Sequence, residues 1–347
     1  MIKVIVDDKI PYIREALTAM GVEAHYVPGH AFTNAAVKDA DALIVRTRTR
    51  CDEALLHGSR VRFIATATIG YDHIDTAYCA SQGIRWTNAP GCNAASVCQY
   101  IQSVLLLLQR ERGVVLSEAT LGVVGVGHVG SLVVQMARSW GMHVLCCDPP
   151  RAERGEQGFV SLETIAREAD IVTLHTPLVR DGKHPTFHMA DAAFFASLER
   201  KPYFINTSRG ETTDTQALME ALEEGKIAQC CLDVWENEPN INLDLLHRCH
   251  IGTPHIAGYS ADGKANATRM SLEALAALFD LPSVPAIQAP CPEDSVLYAD
   301  SRAEALLQIY NPCVDSKALK EYPESFEHLR GNYPLRREEQ AYDIRLK

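Results

Sequence analysis

The chain is predicted to be an α/β protein built on doubly wound parallel sheets. Three observations point there. Short apolar runs alternate with helical stretches along most of the 347 residues. The runs are almost continuously apolar, as strands covered on both faces are. The segment Gly125-Val126-Gly127-His128-Val129-Gly130 joins one run to an amphipathic stretch. Strict alternation of this kind defines the doubly wound class.

In chain order, Ile2 to Val6 reads as a strand, Tyr12 to Met20 as a helix, and Ala42 to Val45 and Val61 to Ala65 as strands. Ala94 to Arg112 is a helix whose apolar residues run almost all round it, the mark of a buried helix. A second series follows, with strands at Leu121 to Val124, His143 to Cys147, Ile171 to Leu174, Tyr203 to Asn206 and Cys230 to Val234. Helices are expected at Val129 to Trp140 and Asp214 to Glu224. For the latter, Thr213 and Gln216 can form a capping box and Gly225 can close the end. From Leu281 four prolines within eleven residues read as a linker. Beyond it, helical stretches at Ser301 to Tyr310 and Phe326 to Arg330 belong to a tail too short for its own core. That tail is expected to pack on its own chain or on a partner subunit.

Lys and Arg total 33 against 44 Asp and Glu, a net charge of −11, which disfavours binding to nucleic acid or to an anionic membrane. No apolar run is long enough to span a bilayer, and the N-terminal stretch does not read as a signal peptide, so a cytoplasmic protein is expected. The 11 cysteines lack any C-x-x-C spacing, and no helical H-x-x-x-H pair occurs. Free thiols and no metal are expected.

The glycine segment has the context of a dinucleotide site. Gly125 permits the tight turn, Gly127 lets backbone approach a pyrophosphate, and Gly130 lets helix pack on strand. The helix N-terminus then offers N–H groups to the phosphates. Asp148 closes the next strand, where a carboxylate accepts from a ribose 2′-hydroxyl and repels a 2′-phosphate, so NAD is expected.

Three polar side chains follow later strands: Arg209 in Asn206 to Gly210, Glu238 in Asp233 to Pro239, and His255 in Thr253 to Gly258. Each alone has a plain structural reading. Together they suit hydride chemistry at a 2-hydroxy acid. A histidine can take the hydroxyl proton, a carboxylate orients the imidazole, and a guanidinium holds the substrate carboxylate.

With these motifs in place, the chain resembles the D-isomer-specific 2-hydroxyacid dehydrogenases. That resemblance implies two Rossmann-like domains and a catalytic trio, which falls on Arg209, Glu238 and His255. Within the superfamily, Ala65-Thr66-Ala67-Thr68, Ala89-Pro90-Gly91-Cys92-Asn93, Cys147-Asp148-Pro149-Pro150-Arg151 and His255 to Ser260 resemble the 4-phosphoerythronate dehydrogenases. So does the tail stretch Leu329 to Tyr333. The closer resemblance implies oxidation of 4-phospho-D-erythronate to 3-hydroxy-2-oxo-4-phosphooxybutanoate, on a route to pyridoxal 5′-phosphate. It implies a discontinuous substrate domain (1–93 with 258–284), an NAD domain (94–257) and a small C-terminal α+β dimerisation domain (285–347) in a homodimer. It also places Thr47, Thr68 and Tyr259 at the substrate, and His128, Val129, Asp148, Thr176, Asp233 and Gly258 at NAD.

The residues add one expectation. A substrate with a carboxylate and a phosphate needs more than one cation. Arg46, with Arg48 beside it, is a candidate for the phosphate; an extended loop would send Arg46, Arg48 and Arg50 to one side. A solvated basic edge is the alternative. Backbone N–H groups around Thr68 to Gly70 are a candidate cradle for the substrate carboxylate. Closure on substrate is expected, with hinges near 90–95 and 258–262. Other readings of the whole chain are a phosphoglycerate dehydrogenase, a glyoxylate or hydroxypyruvate reductase, or a non-catalytic dinucleotide-sensing module.

Overall fold

The computed structural model describes residues 2–347, which divide into two compact units: residues 2–93 with Ser260–Glu293, and Ala94–Tyr259 with Asp294–Lys347.

The first unit holds a five-stranded parallel sheet of β1 (Lys3–Asp7), β2 (Glu23–Val27), β3 (Ala42–Val45), β4 (Phe63–Thr66) and β5 (Arg85–Thr87), ordered β2-β1-β3-β4-β5. The central strands are fully buried, as their apolar runs require. The edge strands β2 and β5 are half polar, so they carry no continuous apolar run and escape a sequence reading. The third predicted strand starts two residues late, because Arg62 lies in solvent before Phe63 turns inward. A 19-residue helix, Ala261–Phe279, covers one face, with Leu272 and Leu275 packed among Val4, Val6, Ile44 and Phe63. Its inner surface mixes three alanines with Asp262, Gly263, Thr268 and Ser271 and has only two large apolar side chains, a weak periodic signal.

The second unit holds a six-stranded parallel sheet: β6 (Thr120–Val124), β7 (His143–Cys147), β8 (Ile171–Leu174), β9 (Tyr203–Asn206), β10 (Gln229–Leu232) and β11 (Ile251–Gly252). The order is β11-β10-β9-β8-β6-β7, so the direction of winding reverses between β6 and β8. The helix Ala94–Arg112 is buried nearly all round, as its composition predicts, with Tyr100, Val104, Leu105 and Leu107 in the core. The helix at Thr215–Glu223 is capped differently from expectation. Asp214 accepts from the N–H groups of Gln216 and Ala217, while the Thr213 hydroxyl is buried and takes a bond from Asn206.

The C-terminal segment carries a small sheet of its own, and most of it groups with the second unit. Residues from Asp294 onward belong to the second unit. Leu306 and Tyr310 enter one face of its core, and Leu319 and Phe326 enter the other. Polar ties reinforce this: Ser96 to Glu338, Ser103 to the Tyr310 carbonyl, and Ser316 to the Gly252 N–H. The segment's own sheet, β12 (Val296–Ala299) with β13 (Asp343–Leu346), has two strands and cannot bury a core alone.

The 11 cysteines are free, and burial pushes Cys51, Cys98 and Cys147 up to about 12. Among the described residues no helix is long and apolar enough to cross a membrane, and no cluster of His, Cys, Asp or Glu suits a metal.

Candidate active site

The glycine loop lies at the reversal point between β6 and β8, where open parallel sheets bind ligands. Gly125 has φ +86, and a Cβ there would lie 2.8 Å from the His175 carbonyl. A Cβ on Gly130 would lie 2.1 Å from the Gly125 oxygen. A Cβ on Gly127 would meet nothing within 4 Å. Two glycines are therefore demanded by the protein's own packing, and the third faces open space. Gly127 caps the helix His128–Ser139 without a side-chain bond, leaving the first turn's N–H groups to a ligand. His128 is exposed and Val129 half-buried.

Asp148 follows β7 and holds this loop. Its Oδ2 accepts the Val126 N–H at 2.9 Å and its Oδ1 the Arg151 N–H at 3.1 Å. Thr176 follows β8 directly after His175, whose imidazole burial lowers to about 3. These residues make a cradle of the shape and polarity a dinucleotide needs: open glycine, uncapped helix, carboxylate at the neighbouring strand.

Arg209 follows β9. Asn206, buried at the strand end, organises its loop by donating to the Arg209 carbonyl and accepting from the Ser208 N–H. Gly210 lets that loop lie directly on the next one, since a Cβ there would fall 1.9 Å from the Trp235 carbonyl carbon. Glu238 sits on that second loop. Its Oε1 accepts the Trp235 N–H at 3.0 Å, and its Oε2 lies 2.8 Å from His255 Nδ1. Burial pushes the Glu238 carboxyl up. The His255 contact, the Trp235 N–H and the nearby Arg330 outweigh burial, and the net position is below the usual carboxylate range.

His255 has φ 57 and is held by Asp233. The Asp233 carbonyl accepts the His255 N–H, and its carboxylate accepts from the Ile256 and Ala257 N–H groups and the Thr253 hydroxyl. Tyr100 and Trp235 brace Thr253 in turn. Asp233 is 1% exposed, and burial raises its carboxyl despite these donors. Thr253 and Tyr100 were not singled out in the sequence; a buried hydroxyl and a helix tyrosine carry no signal of their own. Gly258 lies in the turn closed by the Tyr259 N–H on the Ile256 carbonyl. Tyr259 follows, its hydroxyl bonded to Arg330 Nε at 3.0 Å.

In the first unit, the loop after β3 is a turn, not the extended run anticipated. The Thr49 N–H bonds the Arg46 carbonyl, and the Thr49 hydroxyl is buried on the Gly29 carbonyl. Arg46 pairs with buried Asp7 at 3.1 Å, and Arg50 pairs with Asp52. Thr47 is exposed. Thr68 ends a hydroxyl relay: it donates to the Gly70 carbonyl, so it accepts from Thr66, which accepts from His73 Nε2. Burial lowers His73, in keeping with a neutral ring.

The family model described as "D-isomer specific 2-hydroxyacid dehydrogenase, NAD binding domain" matches residues 104–257. The erythronate-4-phosphate dehydrogenase of Bacteroides thetaiotaomicron is 57% identical over 343 residues, covering 99% of each chain. Among solved structures, the D-lactate dehydrogenase of Aquifex aeolicus complexed with NAD and lactic acid is similar, with TM-score 0.65 and 25% identity over 80% of this chain and 95% of that one. The NAD-bound 3-phosphoglycerate dehydrogenase of Entamoeba histolytica has TM-score 0.68 and 25% identity over the same shares.

Proposed function

The chain belongs to the D-isomer-specific 2-hydroxyacid dehydrogenases and, within them, to the erythronate-4-phosphate dehydrogenase family, and from that premise we propose that it oxidises 4-phospho-D-erythronate at C2 to 3-hydroxy-2-oxo-4-phosphooxybutanoate. NAD supplies the hydride acceptor. One observation supports the chemistry most directly, the 2.8 Å contact of His255 Nδ1 with Glu238. An ionised carboxylate only accepts, so Nδ1 carries a proton, and in the neutral ring Nε2 keeps its lone pair. His255 Nε2 then takes the C2 hydroxyl proton as hydride leaves, and Glu238 stabilises the imidazolium. Arg209 grips the substrate carboxylate and polarises the adjacent oxygen.

On the same reading, Gly125, Gly127, His128, Val129, Gly130, Asp148, Thr176, Asp233 and Gly258 serve NAD, and Arg46, Thr47, Thr68 and Tyr259 serve substrate. The reaction would supply a phosphorylated keto acid to pyridoxal 5′-phosphate synthesis in the cytoplasm. A homodimer is part of the proposal: six of the ten large apolar side chains exposed among the described residues lie in 294–347, Tyr298 and Val314 among them. Exposed apolar surface on one segment suits a partner. The test is nicotinamide absorbance during incubation with 2-hydroxy acids, with and without a terminal phosphate. Turnover of unphosphorylated acids alone would point to a different branch of the family.

A further inference from the structure

The catalytic pair touches a third charged residue from the last segment of the chain. Arg330 lies on the short helix Phe326–Gly331, well beyond the 104–257 match to the family model. Its Nε donates to the Tyr259 hydroxyl at 3.0 Å, and its Nη1 stands 3.8 Å from Glu238 Oε2, the oxygen that also faces His255. Its guanidinium carbon lies 5.9 Å from the centre of the Tyr259 ring. The helix is pinned by Phe326, which is 1% exposed, and by Leu329 against the same core. The Arg330 side chain is 27% exposed, so its cation is only partly screened.

Resting on the function proposed above, we infer that Arg330 is a positioning residue for the oxidation: it fixes the Glu238 carboxylate toward His255 and the Tyr259 ring toward substrate. Two consequences follow from the chemistry. Arg330 competes with the imidazole for one carboxylate oxygen, so it opposes protonation of the His255–Glu238 couple. It also gives Tyr259 a charged anchor that a neutral side chain cannot replace. Other charged groups near this cluster include Glu327, 3.9 Å from Arg330 on its own helix, Asp233, which holds the His255 loop from inside, and Arg336, which donates to the Ala257 carbonyl. Of these, none has a side-chain bond to both Glu238 and Tyr259.

The test compares wild type, Arg330→Met and Arg330→Lys as full-length holoenzymes. In Arg330→Met, kcat/KM for erythronate 4-phosphate should fall roughly tenfold, as losses around a reacting group's support do. The acid limb of its pH profile should move up by about half a unit, since a nearby cation is gone. Arg330→Lys should restore the limb but not KM, because an ammonium keeps the charge and lacks the planar fork. A packing role alone would lower thermal stability in both variants and leave the limb in place. An independent reading comes from the downfield proton resonance of His255 Nδ1–H, identified as the line lost in His255→Gln. It should move further downfield in Arg330→Met as Glu238 becomes a stronger acceptor. If wild type turns over the phosphorylated acid and neither limb nor resonance moves, the positioning role is wrong. If wild type ignores that acid, the substrate assignment fails, and the resonance still decides for or against Arg330.

Discussion

His255 Nδ1 and Glu238 Oε2 lie 2.8 Å apart, although 17 residues and a strand separate them in sequence. The contact fixes the imidazole tautomer and makes Glu238 a stability determinant as well. The net pKa of Glu238 is lowered in the folded state, so its stabilising contribution is complete above the unfolded carboxylate value. That contribution is lost as pH falls through the lower folded value. Glu238→Gln should therefore lose stability at neutral pH and converge with wild type in acid, by urea unfolding at a series of pH values. Its kcat should drop by about two to four orders of magnitude, the span of a general-base contribution. A variant with wild-type kcat would remove Glu238 from the mechanism.

Gly127 and Gly130 should separate binding from folding. A methyl on Gly130 collides with the Gly125 carbonyl, so Gly130→Ala should cost about 1–3 kcal/mol or more of stability through overpacking. A methyl on Gly127 meets no protein atom, although its φ of −80 with ψ of −147 lies outside the usual β region and adds a modest backbone cost. Gly127→Ala should lose less stability than Gly130→Ala yet bind NAD at least tenfold more weakly, because the methyl would enter the space proposed for the pyrophosphate. Calorimetric unfolding and NAD titration measure the two effects. Unchanged NAD affinity would place the dinucleotide elsewhere.

The loops after strands were legible because their chemistry is local. The glycine segment, Arg209 and Glu238 each follow an apolar run that announces a strand, whereas the two-residue strand Ile251–Gly252 before His255 is too short to announce itself; parallel sheets gather such loops at one edge. What stayed hidden depends on contacts between distant segments. Asp233 reads as a cofactor residue near the end of an expected strand, yet it also holds the backbone of Ile256 and Ala257. Arg330 reads as one charge in a helical stretch of the tail, yet it reaches Glu238. The tail reads as marginal because its apolar residues, Leu306, Tyr310, Leu319 and Phe326, complete a core begun two hundred residues earlier. The turn at Arg46 to Thr49 is not legible because its closing bonds go to its own carbonyl and to the distant Gly29.

Arg46 carries two separable expectations. It neutralises Asp7, which is 0% exposed, so Arg46→Ala leaves a buried carboxylate unpaired and should cost about 3 kcal/mol or more. Asp7→Asn in the same chain should recover much of that loss, since the charge to be matched is gone. If Arg46 also meets the substrate phosphate, the stable double variant should still show a raised KM for erythronate 4-phosphate and an ordinary KM for an unphosphorylated 2-hydroxy acid. Equal KM changes for both acids would confine Arg46 to holding Asp7.

Asp148 should govern the choice between NAD and NADP, and the surrounding bonds say how far one substitution can go. Its charge stands beside the loop that would receive the adenosine ribose, held by the Val126 and Arg151 N–H groups. Asp148→Asn keeps an acceptor but removes the repulsion of a 2′-phosphate, so the ratio of NAD to NADP efficiency should fall by about tenfold, or roughly 1.4 kcal/mol. It should not reverse. Arg151, the nearest guanidinium, is engaged by Glu156 and the Val126 carbonyl and cannot turn to the phosphate. Adding Glu156→Gln weakens that hold, and the double variant should gain NADP turnover that the single variant lacks. An NAD-to-NADP ratio that ignores both changes would mean that the ribose lies away from Asp148.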